Sequence, residues 1–117
     1  MPMAGDELLP RVMDSNYDSF LQAGTAVLLF KIASCKPCDE FEPIVLKTAE
    51  FYQPTVRFGK VLMHVPGTCT GIKKRYTFET FPTIHFYKNG LLVQVIEGKL
   101  DEKELNRLIK TQLLSAT

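Results

Sequence analysis

Two cysteines, Cys35 and Cys38, are separated by two residues in the stretch KIASCKPCDEFEP at positions 31–43. This spacing permits two kinds of chemistry. The two sulfurs are close enough to form a disulfide and to exchange it with another one. A Cys-x-x-Cys pair also supplies half of a structural zinc site, for which Cys69 and His64 could provide two further ligands. We favour the redox interpretation, because zinc knuckles usually hold their cysteines in a tight turn of their own.

Composition narrows the class of protein. The chain has 117 residues, enough for one domain over 1–117 with its own core, and its formal charge of +1 gives no reason to expect a nucleic-acid partner. The apolar run 26–30 is far shorter than the roughly 20 residues of a membrane-spanning helix, and the N-terminus lacks the basic region of a signal peptide. Three cysteines are too few for a secreted disulfide scaffold. We therefore expect no membrane partner and a cytoplasmic, reducing location.

Hydrophobic periodicity predicts the elements around the cysteine pair. The stretch Asp14–Asp18 offers a helix cap followed by an acid in the first turn, and predicts a short helix that runs to about Gln22. The continuous apolar run Ala26–Phe30 is typical of a strand buried on both faces. An apolar stripe then predicts a long helix over about Lys36–Tyr52, with a bend at Pro43.

The second half of the chain predicts mainly strands and a closing helix. Asn89-Gly90 is a strong hairpin signal, so the strands on either side of it should be antiparallel. Asp101 and Glu104 form a capping pair before the last helix. The predicted elements are a strand at Val56–Met63, a short helix at Gly71–Tyr76, strands at Thr83–Tyr87 and Leu91–Ile96, and a helix from Asp101 to Leu113.

The chain combines a buried strand before Cys-x-x-Cys, a proline five residues past the second cysteine, Phe81-Pro-Thr83, Lys88-Asn-Gly90 and Gly98. These features in this order resemble the thioredoxin family. The resemblance covers the chain from about Val12 to Leu113. It implies an α/β thioredoxin fold, in which a central mixed sheet of four or five strands has helices on both faces.

The resemblance also implies roles for the site residues. Cys35 would sit at the tip of a helix, where unpaired N–H groups and the helix dipole favour the thiolate that attacks a partner disulfide. Cys38 would then resolve the mixed disulfide. Pro82 would follow a cis peptide bond, and Phe81 and Thr83 would present their backbone to a bound peptide. Without the cysteine pair, Phe81-Pro-Thr83 would be interpreted as an ordinary strand entry with a trans bond.

The chain departs from the family pattern at three positions. Ser34 stands where thioredoxins usually have tryptophan, which puts the identity of the docking partners in question. Leu29 replaces the buried acid that usually accepts a proton from the second cysteine, so release could be slow or use another group. Lys36 replaces glycine and should favour the neighbouring thiolate. Pro37 is retained and keeps the turn stiff.

The remaining cysteine and the histidines have simpler interpretations. Cys69 lies where animal thioredoxins can carry an extra regulatory cysteine, but a plain loop cysteine is the preferred interpretation, since exposure decides reactivity. His64 and His85 are interpreted as sheet residues.

We favour a monomeric dithiol–disulfide oxidoreductase that reduces protein disulfides and needs no cofactor or metal. A reductase or glutathione would then reduce the disulfide of this protein again. Two alternatives stay open. One is a thioredoxin-fold binding or regulatory protein with little reductase activity, and the other is a glutathione-driven, glutaredoxin-like protein.

Overall fold

Four strands form a single mixed sheet in the computed structural model of the chain, which describes residues 8–22 and 24–115. Neighbouring strands follow the order β2-β1-β3-β4. β1 runs parallel to β2 and antiparallel to β3, and β3 is antiparallel to β4. The strands are β1 (Ala26–Lys31), β2 (Arg57–Leu62), β3 (Thr83–Lys88) and β4 (Leu91–Glu97).

Helices cover both faces of this sheet. α2 (Lys36–Tyr52) and α4 (Glu102–Leu108) pack on one face, whereas α1 (Tyr17–Leu21) and α3 (Thr70–Arg75) contribute to the core on the other. The last helix continues from α4 as a π-helical turn over Ile109–Leu113. The predicted α/β class and its layered arrangement are confirmed. None of the helices within the described ranges is both long enough and apolar enough to span a bilayer.

Burial on both sides explains why β1 is uniformly apolar. Every residue from Ala26 to Phe30 has no exposed surface. Because alternate side chains of a strand point to opposite faces, Leu29 joins the core under α2 and Leu28 joins the core on the other face. Packing on both faces therefore holds β1, the strand that precedes the cysteine pair, in place.

The first helix forms as predicted, with Asp18 in its first turn, but the predicted side-chain cap is absent. α1 begins at Tyr17 after Asn16, whose side chain makes no cap hydrogen bond to the helix. The Asp14 carboxylate instead accepts hydrogen bonds from the backbone N–H groups of Gly71, at 2.8 Å, and Ile72, at 3.0 Å. The Asp14 carboxylate therefore accepts hydrogen bonds from N–H groups of the first turn of α3, which have no partner within the helix. This helix begins at Thr70, 56 residues after Asp14.

The predicted hairpin and the last helix cap are confirmed. Asn89 and Gly90 both have positive φ, at 55° and 80°, which fits the tight turn between β3 and β4. The Asp101 side chain accepts a hydrogen bond of 2.7 Å from the N–H of Glu104. Within β4, Val93 is an extra residue in the pairing with β3, so this edge strand carries a bulge.

Candidate active site

The two cysteines of the motif are joined by a disulfide across the first turn of α2. Cys35 is the residue that precedes the helix, and its sulfur accepts a hydrogen bond of 3.2 Å from the N–H of Cys38. Pro37 lies in the first turn, where a missing N–H costs the helix nothing. Cys35 thus lies where the end of the helix stabilises negative charge on its sulfur after reduction.

The two cysteines differ in exposure. Cys35 retains 8% of its surface, whereas Cys38 has none exposed. A partner can therefore reach the sulfur of Cys35 before that of Cys38. This difference supports the order of attack that the family resemblance implies.

The loop before β3 forms the opposite wall of the site. The Phe81–Pro82 peptide bond is cis, as predicted, and the carbonyl oxygen of Phe81 lies 3.9 Å from the Cys35 sulfur. Thr83 is buried, and its hydroxyl donates a hydrogen bond of 2.7 Å to the carbonyl oxygen of Thr80. Its side chain is therefore turned away from any partner.

A family model for thioredoxin matches residues 9–111. The chain belongs to the thioredoxin family. It is also 30% identical over 99 residues to a thioredoxin of Chlamydia caviae, an alignment that covers 84% of this chain and 92% of that protein. The four-stranded sheet with its two helical layers is accordingly the thioredoxin fold, and the cysteine pair occupies a thioredoxin-type redox motif.

Ser34 is the residue next to Cys35 at the position where thioredoxins usually carry tryptophan. Ser34 is exposed with a φ of 56°, and Lys36 is exposed at the start of α2. On the other side, the ring of Phe81 contacts the ring of His64, with centroids 5.7 Å apart. The interpretation of His64 as a sheet residue is wrong, because it lies in an exposed turn after β2 with a φ of 66°.

His85 does lie in the sheet, in a buried polar network that the sequence analysis missed. Its Nδ1 atom is 2.8 Å from the hydroxyl of Tyr87, which is 3.0 Å from the hydroxyl of Tyr17. Tyr17 also shares a short hydrogen bond with Tyr76. Burial lowers the pKa of His85 to about 4, so the ring is neutral at physiological pH. Burial likewise raises the pKa of Tyr17 and Tyr87.

A charged cluster includes Lys60, the register partner of Leu29 on β2, and Leu29 stands where the family usually has its buried acid. The Glu42 carboxylate is hydrogen-bonded to the Lys31 ammonium and lies 3.5 Å from that of Lys60. Lys31 is also 3.8 Å from Asp39, which is largely exposed. The sequence analysis missed this cluster, although the position of Glu42, four residues after Cys38, places it on the same side of the helix.

Opposing effects set the ionisation of Glu42. Burial is the largest and would raise the pKa of this carboxyl. The hydrogen bond and charge of Lys31, together with Lys60, outweigh it, so the pKa of Glu42 lies below its usual value of 4.5. Glu42 is therefore an ionised carboxylate at neutral pH and a weak base.

Cys69 is buried, with 2% of its surface exposed, and it immediately precedes α3. Its sulfur lies 3.9 Å from the carbonyl oxygen of Leu62. A regulatory role for Cys69 stays a prediction, and its burial favours the plainer interpretation of a packed side chain. Over residues 8–22 and 24–115, no three His, Cys, Asp or Glu side chains come together in a way that could hold a metal ion.

Proposed function

We propose that this thioredoxin-family protein is a dithiol–disulfide oxidoreductase that acts as a single domain over 1–117 and reduces disulfides in other proteins. The observation that carries the proposal is the position of Cys35. Its sulfur precedes α2, accepts the N–H of Cys38 and lies beside the Phe81 carbonyl at the cis proline. Family membership supports a thioredoxin-like redox function in general.

The reaction proceeds in two exchanges. In the reduced protein, the Cys35 thiolate attacks one sulfur of a partner disulfide, forms a mixed disulfide and expels the other partner sulfur as a thiolate, which takes up a proton. Cys38 then loses its proton and attacks the Cys35 sulfur. The bond to the partner breaks, the second partner sulfur leaves as a thiolate and the Cys35–Cys38 disulfide forms. The partner gains two electrons, and an external dithiol or glutathione returns them to the protein.

The supporting residues act on binding and on the stability of the thiolate. Lys36 adds a positive charge next to Cys35, and Pro37 limits the flexibility of the turn. A partner chain would lie along the backbone of Phe81 and Thr83 beside Pro82. Ser34 leaves the other side of the groove open, which favours partners different from those of tryptophan-containing thioredoxins.

The cellular setting belongs to the same proposal. A protein that delivers electrons to disulfides needs a reducing compartment, and we place it in the cytoplasm as a monomer. We expect protein disulfides as substrates, and no nucleic-acid or membrane partner. The electron donor is a reductase or glutathione, and the open rim at Ser34 keeps the glutathione-driven alternative in view.

Turbidity caused by insulin reduction tests the activity. Reactions with dithiothreitol, with a thioredoxin reductase and with glutathione should show turnover with dithiothreitol and with one of the two biological donors. That donor distinguishes a thioredoxin from a glutaredoxin-like protein. No acceleration with any donor would support the binding or regulatory alternative instead.

Two variants test the assigned roles. Cys35→Ser should abolish reduction, because the attacking sulfur is lost. Cys38→Ser should accumulate a covalent mixed disulfide with substrate, visible on a non-reducing gel, because nothing resolves it. Equal trapping by both variants would contradict the assigned order of attack.

A further inference from the structure

Cys38 must become a thiolate in a position without solvent access. Burial in apolar surroundings disfavours the charged form of a thiol, and Leu29 supplies no base in the strand beneath. The proposed reaction therefore needs some other feature of the fold that makes Cys38 a nucleophile. The charged cluster of Lys31, Glu42 and Lys60 is the strongest candidate.

The geometry of the sheet brings this cluster under the same helix face as Cys38. Leu29 points into the core below α2, and Lys31, two residues further along β1, shares its face. Lys60 is the register partner of Leu29 on β2 and points to that face as well. From above, Glu42 lies one helical turn after Cys38, and the Cβ atoms of such residues are roughly 5–6 Å apart.

The cluster contains more positive than negative charge on its inner side. The side chains of Lys31 and Lys60 are 13% and 21% exposed, and they share the carboxylate of Glu42, which is 20% exposed. Asp39 also pairs with Lys31, but its side chain is 68% exposed and solvent screens it. The low pKa of Glu42 makes it a poor proton acceptor and keeps its charge fixed.

We propose that Lys31, Glu42 and Lys60 form an electrostatic positioning site for the resolving step, in which the excess positive charge stabilises the thiolate of Cys38. This inference rests on the proposed oxidoreductase function. Cys38 loses its proton, attacks the Cys35 sulfur and displaces the partner thiolate, which takes up a proton in turn, so no buried acid takes part. The three residues act through the field at Cys38 and touch neither the substrate nor the reacting sulfurs.

Charged groups outside the cluster contribute less to the electrostatic field at Cys38. Glu40 lies on α2 but pairs with Lys99 at 2.8 Å, and both side chains are about half exposed. Lys36 is exposed beside Cys35. Near the start of α2 and on the strands beneath it, the ionisable groups include Lys31, Lys36, Asp39, Glu40, Glu42 and Lys60. Lys99 pairs with Glu40, and Arg11 forms a backbone bridge with Lys60 at the edge of β2.

Reaction of the reduced protein with 5,5′-dithiobis(2-nitrobenzoate) tests the proposal. The attack of Cys35 releases one coloured thiolate, and the attack of Cys38 on the resulting mixed disulfide releases a second one in a phase independent of reagent concentration. The rate constant of this second phase rises with pH, and the pH at which it reaches half its maximum, the midpoint, reports the ionisation of Cys38. Glu42→Gln should lower the midpoint, and Lys60→Gln should raise it, each by roughly half to one pH unit.

The opposite directions separate an electrostatic role from a structural one. Loss of packing or stability would affect both variants alike, so equal shifts or no shift would overturn the proposal. Glu40→Gln is the matched control, because it also removes one carboxylate of an ion pair near the start of α2. It should leave the midpoint unchanged, and a shift as large as that of Glu42→Gln would also overturn the proposal.

Two further measurements keep the test decisive. If Glu42→Gln does not fold, as judged by circular dichroism, Lys31→Gln replaces it and must shift the midpoint in the same direction as Lys60→Gln. If the wild type shows no second phase, the oxidoreductase function itself fails. The same charge variants in a Cys35→Ser background, titrated by thiolate absorbance, then test the field at Cys38 independently.

Discussion

Acidification should destabilise this protein through His85. The ring has a pKa of about 4 in the folded protein, compared with 6.5 for an ordinary histidine. Below pH 6.5 the unfolded chain therefore binds more protons than the folded one, and the stability falls as the pH decreases toward 4. The difference corresponds to about 3 kcal/mol in full, of which about 2 kcal/mol is lost between pH 7 and pH 5. Because His85 is 2% exposed, solvent screening does not reduce this value much.

Urea unfolding of the oxidised protein, followed by circular dichroism between pH 7 and pH 4, measures this loss. The chain contains no tryptophan, so the backbone signal is the suitable probe. His85→Phe removes the titrating ring. It should lower the stability at pH 7, because the hydrogen bond with Tyr87 is lost, but it should also remove about 2 kcal/mol of the pH dependence between pH 7 and pH 5.

The other histidine of the chain provides the control. His64 is exposed, and His64→Phe should retain the pH dependence of the wild type. All other ionisable groups are common to the wild type and His85→Phe, so their contributions cancel in that comparison. Parallel pH profiles for the wild type and His85→Phe would refute the reasoning. A titration of the His85 ring near pH 6.5 by nuclear magnetic resonance would refute it as well.

Three further variants test other parts of the structure. Asp14→Ala should destabilise the protein by about 1–2 kcal/mol in urea unfolding, because two N–H groups of α3 lose their acceptor, and an unchanged midpoint would show that water replaces it. Gly59→Ala would place a Cβ atom 2.9 Å from the side chain of Val12 and should cost about 1–3 kcal/mol by thermal unfolding; a neutral result would mean that the core relaxes freely. Lys36→Gly should raise the thiolate pKa of Cys35, since the attraction of the neighbouring ammonium is lost. An unchanged thiolate titration at low salt would show that Lys36 serves partner recognition instead.

Patterns between neighbouring residues predicted much of the fold. The apolar stripe predicted a helix over about Lys36–Tyr52, and α2 has these bounds. The Asn89-Gly90 turn and the Asp101 cap also form as predicted, because each depends on residues a few positions apart. The cis bond before Pro82 was inferred from the family resemblance and not from local propensity.

The missed features depend on residues that are distant in sequence. Asp14 has the right type and position for a local helix cap, but its carboxylate binds the N–H groups of Gly71 and Ile72. The sequence alone suggests that Glu42 faces solvent. In the structure, the pairing of β1 with β2 places Lys60 beneath it. Neither partner can be identified from periodicity, because the pairing of the strands decides which side chains meet.

The burial of Cys69 before α3 makes this thiol a reporter of local opening. In the oxidised protein Cys69 is the one free cysteine and is buried, so we expect a soluble reagent to reach its sulfur through local opening at the start of α3. When the helix closes again faster than the reagent reacts, the labelling rate of Cys69 equals the rate for an exposed thiol multiplied by the equilibrium constant for the opening. Because Asp14 holds the helix, a weakening of 1–2 kcal/mol in Asp14→Ala corresponds to labelling about 5–30 times faster. Oxidative modification of Cys69 would thus require only the local opening of α3, and not the unfolding of the whole protein.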